Sequence, residues 1–99
     1  MKPVVVSPRA DADVAAMLEY LADLAGPAVA RRYSQELDAI FERLAMFPAS
    51  GARRRSLGPY ARIAGVSPYV FGYDYRDNAV VIVRVLDGRR NITPRLVRK

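Results

Sequence analysis

A chain of 99 residues has room for one domain, which at this size buries roughly 60–65% of the surface its unfolded form would expose, and 52% hydrophobic with 26% charged residues is a folding composition rather than a disordered one. The absence of cysteine and histidine excludes disulfides, thiol nucleophiles, zinc sites built on those residues and a histidine general base, so any chemistry must come from Arg, Lys, Tyr, Asp, Glu or Ser. The net charge of +6 is uneven: residues 1–42 hold four basic and seven acidic groups, residues 43–99 twelve basic and three acidic, so the second half carries +9 and suits an anionic partner.

The chain opens with Val4, Val5 and Val6, a β-branched run far too short for a signal-peptide core or a membrane span, which leads us to expect a soluble, cytoplasmic protein. Ser7-Pro8 ends that strand and starts a helix, because serine can cap the exposed amides and proline suits the first helical position. Val14, Met17, Leu18, Leu21 and Leu24 recur at three- and four-residue steps as one apolar face. Asp11, Asp13 and Glu19 fall on the solvent face by this reading, and their spacing is not that of a metal site. Gly26-Pro27 stops the first helix and starts a second, whose stripe of Val29, Tyr33, Leu37, Ile40, Phe41 and Leu44 runs to Phe47-Pro48. Two helices joined by so short a turn form an antiparallel hairpin, and each needs a sheet or a partner to cover its apolar face.

Residues 49–59 read as a basic loop closed by Gly58-Pro59, with Arg53, Arg54 and Arg55 a run of like charges of the kind that is more often solvated than a site. Strands are expected from Tyr60 to Ala64, through the alternating Tyr69, Phe71, Tyr73 and Tyr75, and from Ala79 to Leu86, with Asp77-Asn78 the turn between the last two. The aromatic stripe is expected to be core at one end and exposed at the other. The last strand is apolar but for Arg84, which predicts a central position with both faces covered, one by the helices and the other by a partner segment. The order of strand, two helices and three strands defines an α+β fold: a single domain over 1–99 with a helical hairpin packed on a small, mostly antiparallel sheet.

That order, together with Phe47-Pro48, Arg62 ahead of a short strand, Tyr69-Val70-Phe71-Gly72-Tyr73, and the run Val80 to Leu86 leaving through Asp87-Gly88-Arg89-Arg90, resembles the RelE/ParE toxins of bacterial type II toxin–antitoxin systems. The resemblance implies one of two activities. The RelE-like branch cleaves mRNA on the ribosome with two lysines, two arginines and a tyrosine, and alignment of the aromatic strands puts Ala61 and Ile63 at the lysine positions, Val70 and Arg90 at the arginine positions and Leu96 at the tyrosine. Only Arg90 matches, and each missing group is typically worth roughly a hundredfold in rate. The ParE-like branch, by the same resemblance, binds DNA gyrase and traps its cleaved-DNA complex, which asks for recognition and no chemistry in the toxin. Arg62 and the exit from Arg84 to Arg90 look like that branch.

The resemblance further implies an antitoxin partner, a small DNA-binding protein whose flexible tail lies between hairpin and sheet, in a hetero-oligomeric complex. Arg62, Arg84, Arg89, Arg90 and Tyr73 are the expected contacts with target or antitoxin, with no catalytic residue, metal or cofactor expected. A mid-strand arginine is costly to bury unless paired, and for Arg84 the candidates are an acid such as Asp74 on a neighbouring strand or a carboxylate of the antitoxin tail. The alternatives to gyrase poisoning are ribosome-dependent mRNA cleavage and an inactive relative that only binds its antitoxin.

Overall fold

The computed structural model describes residues 1–89: β1 (Val4–Val6), α1 (Pro8–Ala25), α2 (Pro27–Met46), β2 (Ala52–Arg53), a 3-10 turn (Arg55–Leu57), β3 (Ala61–Val66), β4 (Tyr69–Arg76) and β5 (Ala79–Asp87). The described strands form one mixed sheet in the order β1-β5-β4-β3-β2, in which, among the described residues, only the β1–β5 pairing is parallel. The helical hairpin packs on this sheet, giving the α+β fold read from the pattern. Residues 49–59 are more structured than a loop. They contribute the edge strand β2, so among the described residues four strands follow the helices where three were expected.

Ser7 links the strand and helix that it separates. Its extended backbone lets the side-chain oxygen accept from the Ala10 amide at 3.0 Å, while the hydroxyl donates to the Val83 carbonyl and the backbone amide to that of Ile82. The start of α1 is thereby fixed to β5. At the other end Gly26 takes φ +94°, a conformation that side chains resist, and the chain reverses into α2. Asp77 and Asn78 both have positive φ, 54° and 59°, as a two-residue hairpin loop between right-twisting strands requires.

The main core lies between hairpin and sheet, with Leu37 and Leu44 from α2, Met17 and Leu21 from α1, and Phe71, Tyr73, Val80 and Ile82 from the sheet. Phe41 meets Phe71 edge to face at 5.4 Å and Tyr33 meets Tyr69 likewise at 5.8 Å, geometries that suit the charge distribution of aromatic rings. The aromatic stripe is thus core in its middle, at Phe71 and Tyr73, and partly exposed at both ends, not core at one end only. Between Gly72 and Tyr73 the β4–β5 register slips, with Gly72 opposite Arg84 and Tyr73 opposite Ile82, so Val83 is the extra residue of a bulge. Val83 and Leu86 join a second cluster with Leu57, Ala61 and Ile63. Part of the cover that the continuous apolarity of β5 called for therefore comes from the chain's own 3-10 turn.

Truncating Leu44, 1% exposed, to alanine is expected to cost about 2–5 kcal/mol in a urea unfolding curve, whereas Leu24→Ala, at a position 68% exposed, should stay within about 0.5 kcal/mol.

Candidate functional site

Three of the four arginines expected to contact target or antitoxin lie within the described residues, and they occupy two ends of the sheet. Arg84 is 7% exposed. Its Nε and Nη2 donate to the two carboxylate oxygens of Asp13 on α1 at 2.7 and 3.1 Å, and the Val85 amide donates to the same carboxylate at 3.0 Å. The acid found on Arg84 thus comes from a helix, where the sequence pointed to Asp74; in the sheet Asp74 stands opposite Val81 and Arg84 opposite Gly72. Asp13, expected on the solvent face, is only 16% exposed at its side chain. The geometry follows from a mismatch in strand length. β1 accompanies β5 only from Val80 to Ile82, and Asp13 meets the β5 backbone just past that point.

Beside this pair runs an open groove of about 310 Å³ between α1 and β5, lined by Met17 and Tyr20 on one side and by Tyr69, Leu86 and Arg89 on the other. Tyr20 is 59% exposed although it belongs to a helix whose neighbouring residues are core. Arg89 is exposed and held by Asp87, with Nε donating at 2.9 Å. The Asp87 hydrogen bond and charge keep the Arg89 proton more firmly bound than usual. The groove therefore mixes apolar surface with two phenols, the carboxylates of Asp13 and Asp87, and the exposed guanidinium of Arg89.

At the far end of the sheet Arg62 and Tyr73 meet on the segment after α2. Tyr73 is 1% exposed; its hydroxyl donates to the Pro48 carbonyl at 2.9 Å and accepts the Gly51 amide at 2.8 Å. Arg62 Nη1 donates to the carbonyls of Ala49 and Gly51 at 3.1 and 2.9 Å. A Cβ on Gly51 would collide with the Tyr73 hydroxyl and lie 2.8 Å from the Ile63 carbonyl oxygen, so glycine is needed for this close approach. Tyr73 is consequently a buried clamp, and the partner contact expected of it is not open to it in this structure. Burial pushes its pKa up, against the opposing pull of the Gly51 amide and Arg62. Burial raises that of Tyr69 as well, assisted by the Asp87 charge.

The family model for the ParE toxin of type II toxin–antitoxin systems matches residues 4–92. The chain belongs to the ParE toxin family. It is 36% identical over 74 residues to Toxin ParE3 of Caulobacter vibrioides, covering 75% of this chain and 74% of that one. Its fold is also similar to that of a chain from the chromosomal ParDE toxin–antitoxin system of P. aeruginosa, with a TM-score of 0.74, 22% identity, and coverage of 88% of this chain and 96% of that chain.

For this ParE-type toxin the five expected contacts do not form one site. Arg84 and Arg89 share the groove at the α1–β5 end, Arg62 and Tyr73 brace the opposite end, and Arg90 lies outside the described residues. The sequence reading missed Asp13 and Tyr20. The signal for Asp13 was faint: a buried arginine requires an acid, and the acids of α1 were available as partners. No helix among the described residues is long and apolar enough to cross a membrane, and no group of three His, Cys, Asp or Glu side chains among them could hold a metal ion.

Two outcomes follow. Arg84→Met and Asp13→Ala should each cost about 3 kcal/mol or more by denaturant titration, and Asp13→Ala the more by about 1 kcal/mol, because it also takes the acceptor from the Val85 amide. The raised pKa values of Tyr69 and Tyr73 favour the protonated phenols in the folded state. That contribution is fully present below the ordinary value of 10.0 and is lost as pH climbs through the raised folded values, so stability should hold to about pH 10 and fall above it. Tyr73→Phe should reduce that alkaline loss in a pH series of thermal melts, while costing about 1–3 kcal/mol at neutral pH through its two abandoned backbone partners.

Proposed function

We propose that this chain is the toxin of an antitoxin-neutralised pair, that it acts in the cytoplasm, and that when free it binds DNA gyrase and holds the enzyme's cleaved-DNA complex. The observation that carries the reading is the ParE match over residues 4–92, because gyrase is the target that the resemblance to the ParE-like branch implies. Local geometry supports it. The positions where the mRNA-cleaving branch has its lysine pair and strand arginine hold Ala61, Ile63 and Val70; Ala61 is 4% exposed, and Ile63 packs against the cluster around Leu57. A methyl group and two branched alkyl chains neither take a proton nor steady a phosphate.

The antitoxin's tail, in this reading, occupies the groove between α1 and β5. Tyr20 and Tyr69 suit aliphatic side chains, and Arg89 at the rim suits an acidic one, so a tail alternating the two would fit. Arg84 contributes there by fixing α1 against β5 through Asp13.

Purified gyrase relaxing and supercoiling plasmid DNA in the presence of this chain, with detergent added afterwards, is the test. Accumulated double-strand breaks are expected, and addition of the antitoxin should suppress them. Folded chain that leaves gyrase untouched but cleaves mRNA on ribosomes would overturn the reading. Arg89→Glu is the cleaner probe of antitoxin binding, with a loss of roughly tenfold or more in affinity expected for a charge reversal at a contact, since Arg62 is committed to the segment at 49–51.

A further inference from the structure

The described arginines that follow α2 fall into two electrostatic classes. Arg84, Arg89 and Arg76 are paired with Asp13, Asp87 and Asp77. Arg53, Arg54, Arg55 and Arg62 have no carboxylate within ion-pairing distance among the described residues. These four come together on β2, the 3-10 turn after it and β3, at the edge of the sheet farthest from the α1–β5 groove.

Arg53 and Arg62 stand directly opposite each other in the β2–β3 register. Like charges so placed repel and weaken a strand pair. The fold nevertheless holds both in place with neutral acceptors: Arg53 donates to the Pro59 carbonyl at 3.3 Å, and Arg62 to those of Ala49 and Gly51. Backbone carbonyls orient a guanidinium without cancelling its charge. Between the two arginines lies a shallow recess of about 220 Å³ that Pro59, Tyr60 and Tyr75 complete. Tyr60 is 45% exposed and has the Arg76 guanidinium 4.4 Å from its ring centre.

We propose that this edge is a contact surface for the phosphate backbone of duplex DNA. The guanidinium fork matches a phosphate in a bidentate fashion, and an anion between Arg53 and Arg62 would turn their repulsion into a shared attraction. Arg53 to Arg55 span at most ~7 Å of chain, close to the axial rise of two base-pair steps at about 3.4 Å each. The groove at the other end already holds the carboxylates of Asp13 and Asp87 on its arginines, whereas at this edge Arg53 and Arg62 face each other with neutral acceptors only. The phosphate contact stands on the charges alone; the choice of DNA over RNA rests on the gyrase reading.

The test is fluorescence anisotropy of the full chain with a short labelled DNA duplex over a salt series. Wild-type protein should bind, with affinity falling steeply as salt rises. The R53Q/R54Q/R55Q variant should lose roughly tenfold to hundredfold at low salt, and its log–log salt slope should shrink by about 2–3, from roughly 0.9 per phosphate contact. A charge-matched R31Q/R32Q/R43Q variant on α2 should stay within about threefold of wild type. Thermal melts check that both fold, and the single substitutions Arg53→Gln and Arg55→Gln, at exposed positions, should each carry part of the loss. Equal losses in the two triple variants would reduce the effect to net charge and overturn the proposal. Tighter binding of an RNA duplex, or equally effective competition by polyglutamate, would also overturn it. Gyrase poisoning by a chain whose binding to the duplex is unchanged in R53Q/R54Q/R55Q would remove this inference and leave the gyrase reading. DNA binding through Arg53–Arg55 in a chain inert toward gyrase would do the reverse.

Discussion

One carboxylate determines how the helical hairpin meets the sheet. β5 has nine residues and its parallel neighbour β1 three, so past Ile82 the backbone of β5 needs another acceptor on that side, and Asp13 reaches across from α1 to provide it. The same group neutralises Arg84, which would otherwise be a buried cation. Two obligations, an amide and a guanidinium, are met by a single side chain, and meeting both fixes the angle of α1 over β5. The groove lined by Met17, Tyr20, Tyr69 and Leu86 is the space left by that angle.

A second polar cluster does the equivalent work at the opposite edge. Tyr73 ties Pro48 and Gly51 to the middle of the sheet from the inside, and Arg62 ties Ala49 and Gly51 from the outside. The segment between α2 and β2 is thus fastened on both sides, which lets so short a strand as β2 pair in register with β3. Fastening it also fixes where Arg53 and its neighbours project. The positive charge of the sheet is thereby partitioned: Arg84 and Arg89 are paired with carboxylates at the α1–β5 groove, and Arg53 and Arg62 at the β2–β3 edge are held by backbone carbonyls.

The legibility of this arrangement varied with the range of the forces involved. Helix boundaries at Ser7-Pro8, Gly26-Pro27 and Phe47-Pro48, and the turn at Asp77-Asn78, could be read directly because capping, proline sterics and positive φ act within a few residues. The central place of β5 could be read because the run from Ala79 to Leu86 is apolar but for Arg84. Strand β2 could not: two exposed residues carry no alternation, and their pairing exists only because β3 is beside them. Asp13 was placed in solvent because helical periodicity describes a helix in isolation, and the end of β1 that draws the carboxylate inward lies outside that description.

The sequence by itself determined the order of the main elements, the apolar stripes that must face one another, and the excess of arginine in the second half, since each follows from local sterics, hydrophobic periodicity or composition; the family followed from the resemblance of its motifs. Only the tertiary structure decided which arginines are spent on internal acids and which stay open, and that Tyr73 serves the core instead of a partner. The reason is physical. Pairing a charge or burying a phenol depends on groups brought within about 3 Å by the fold from positions as far apart as Asp13 and Arg84, and no local pattern encodes that distance.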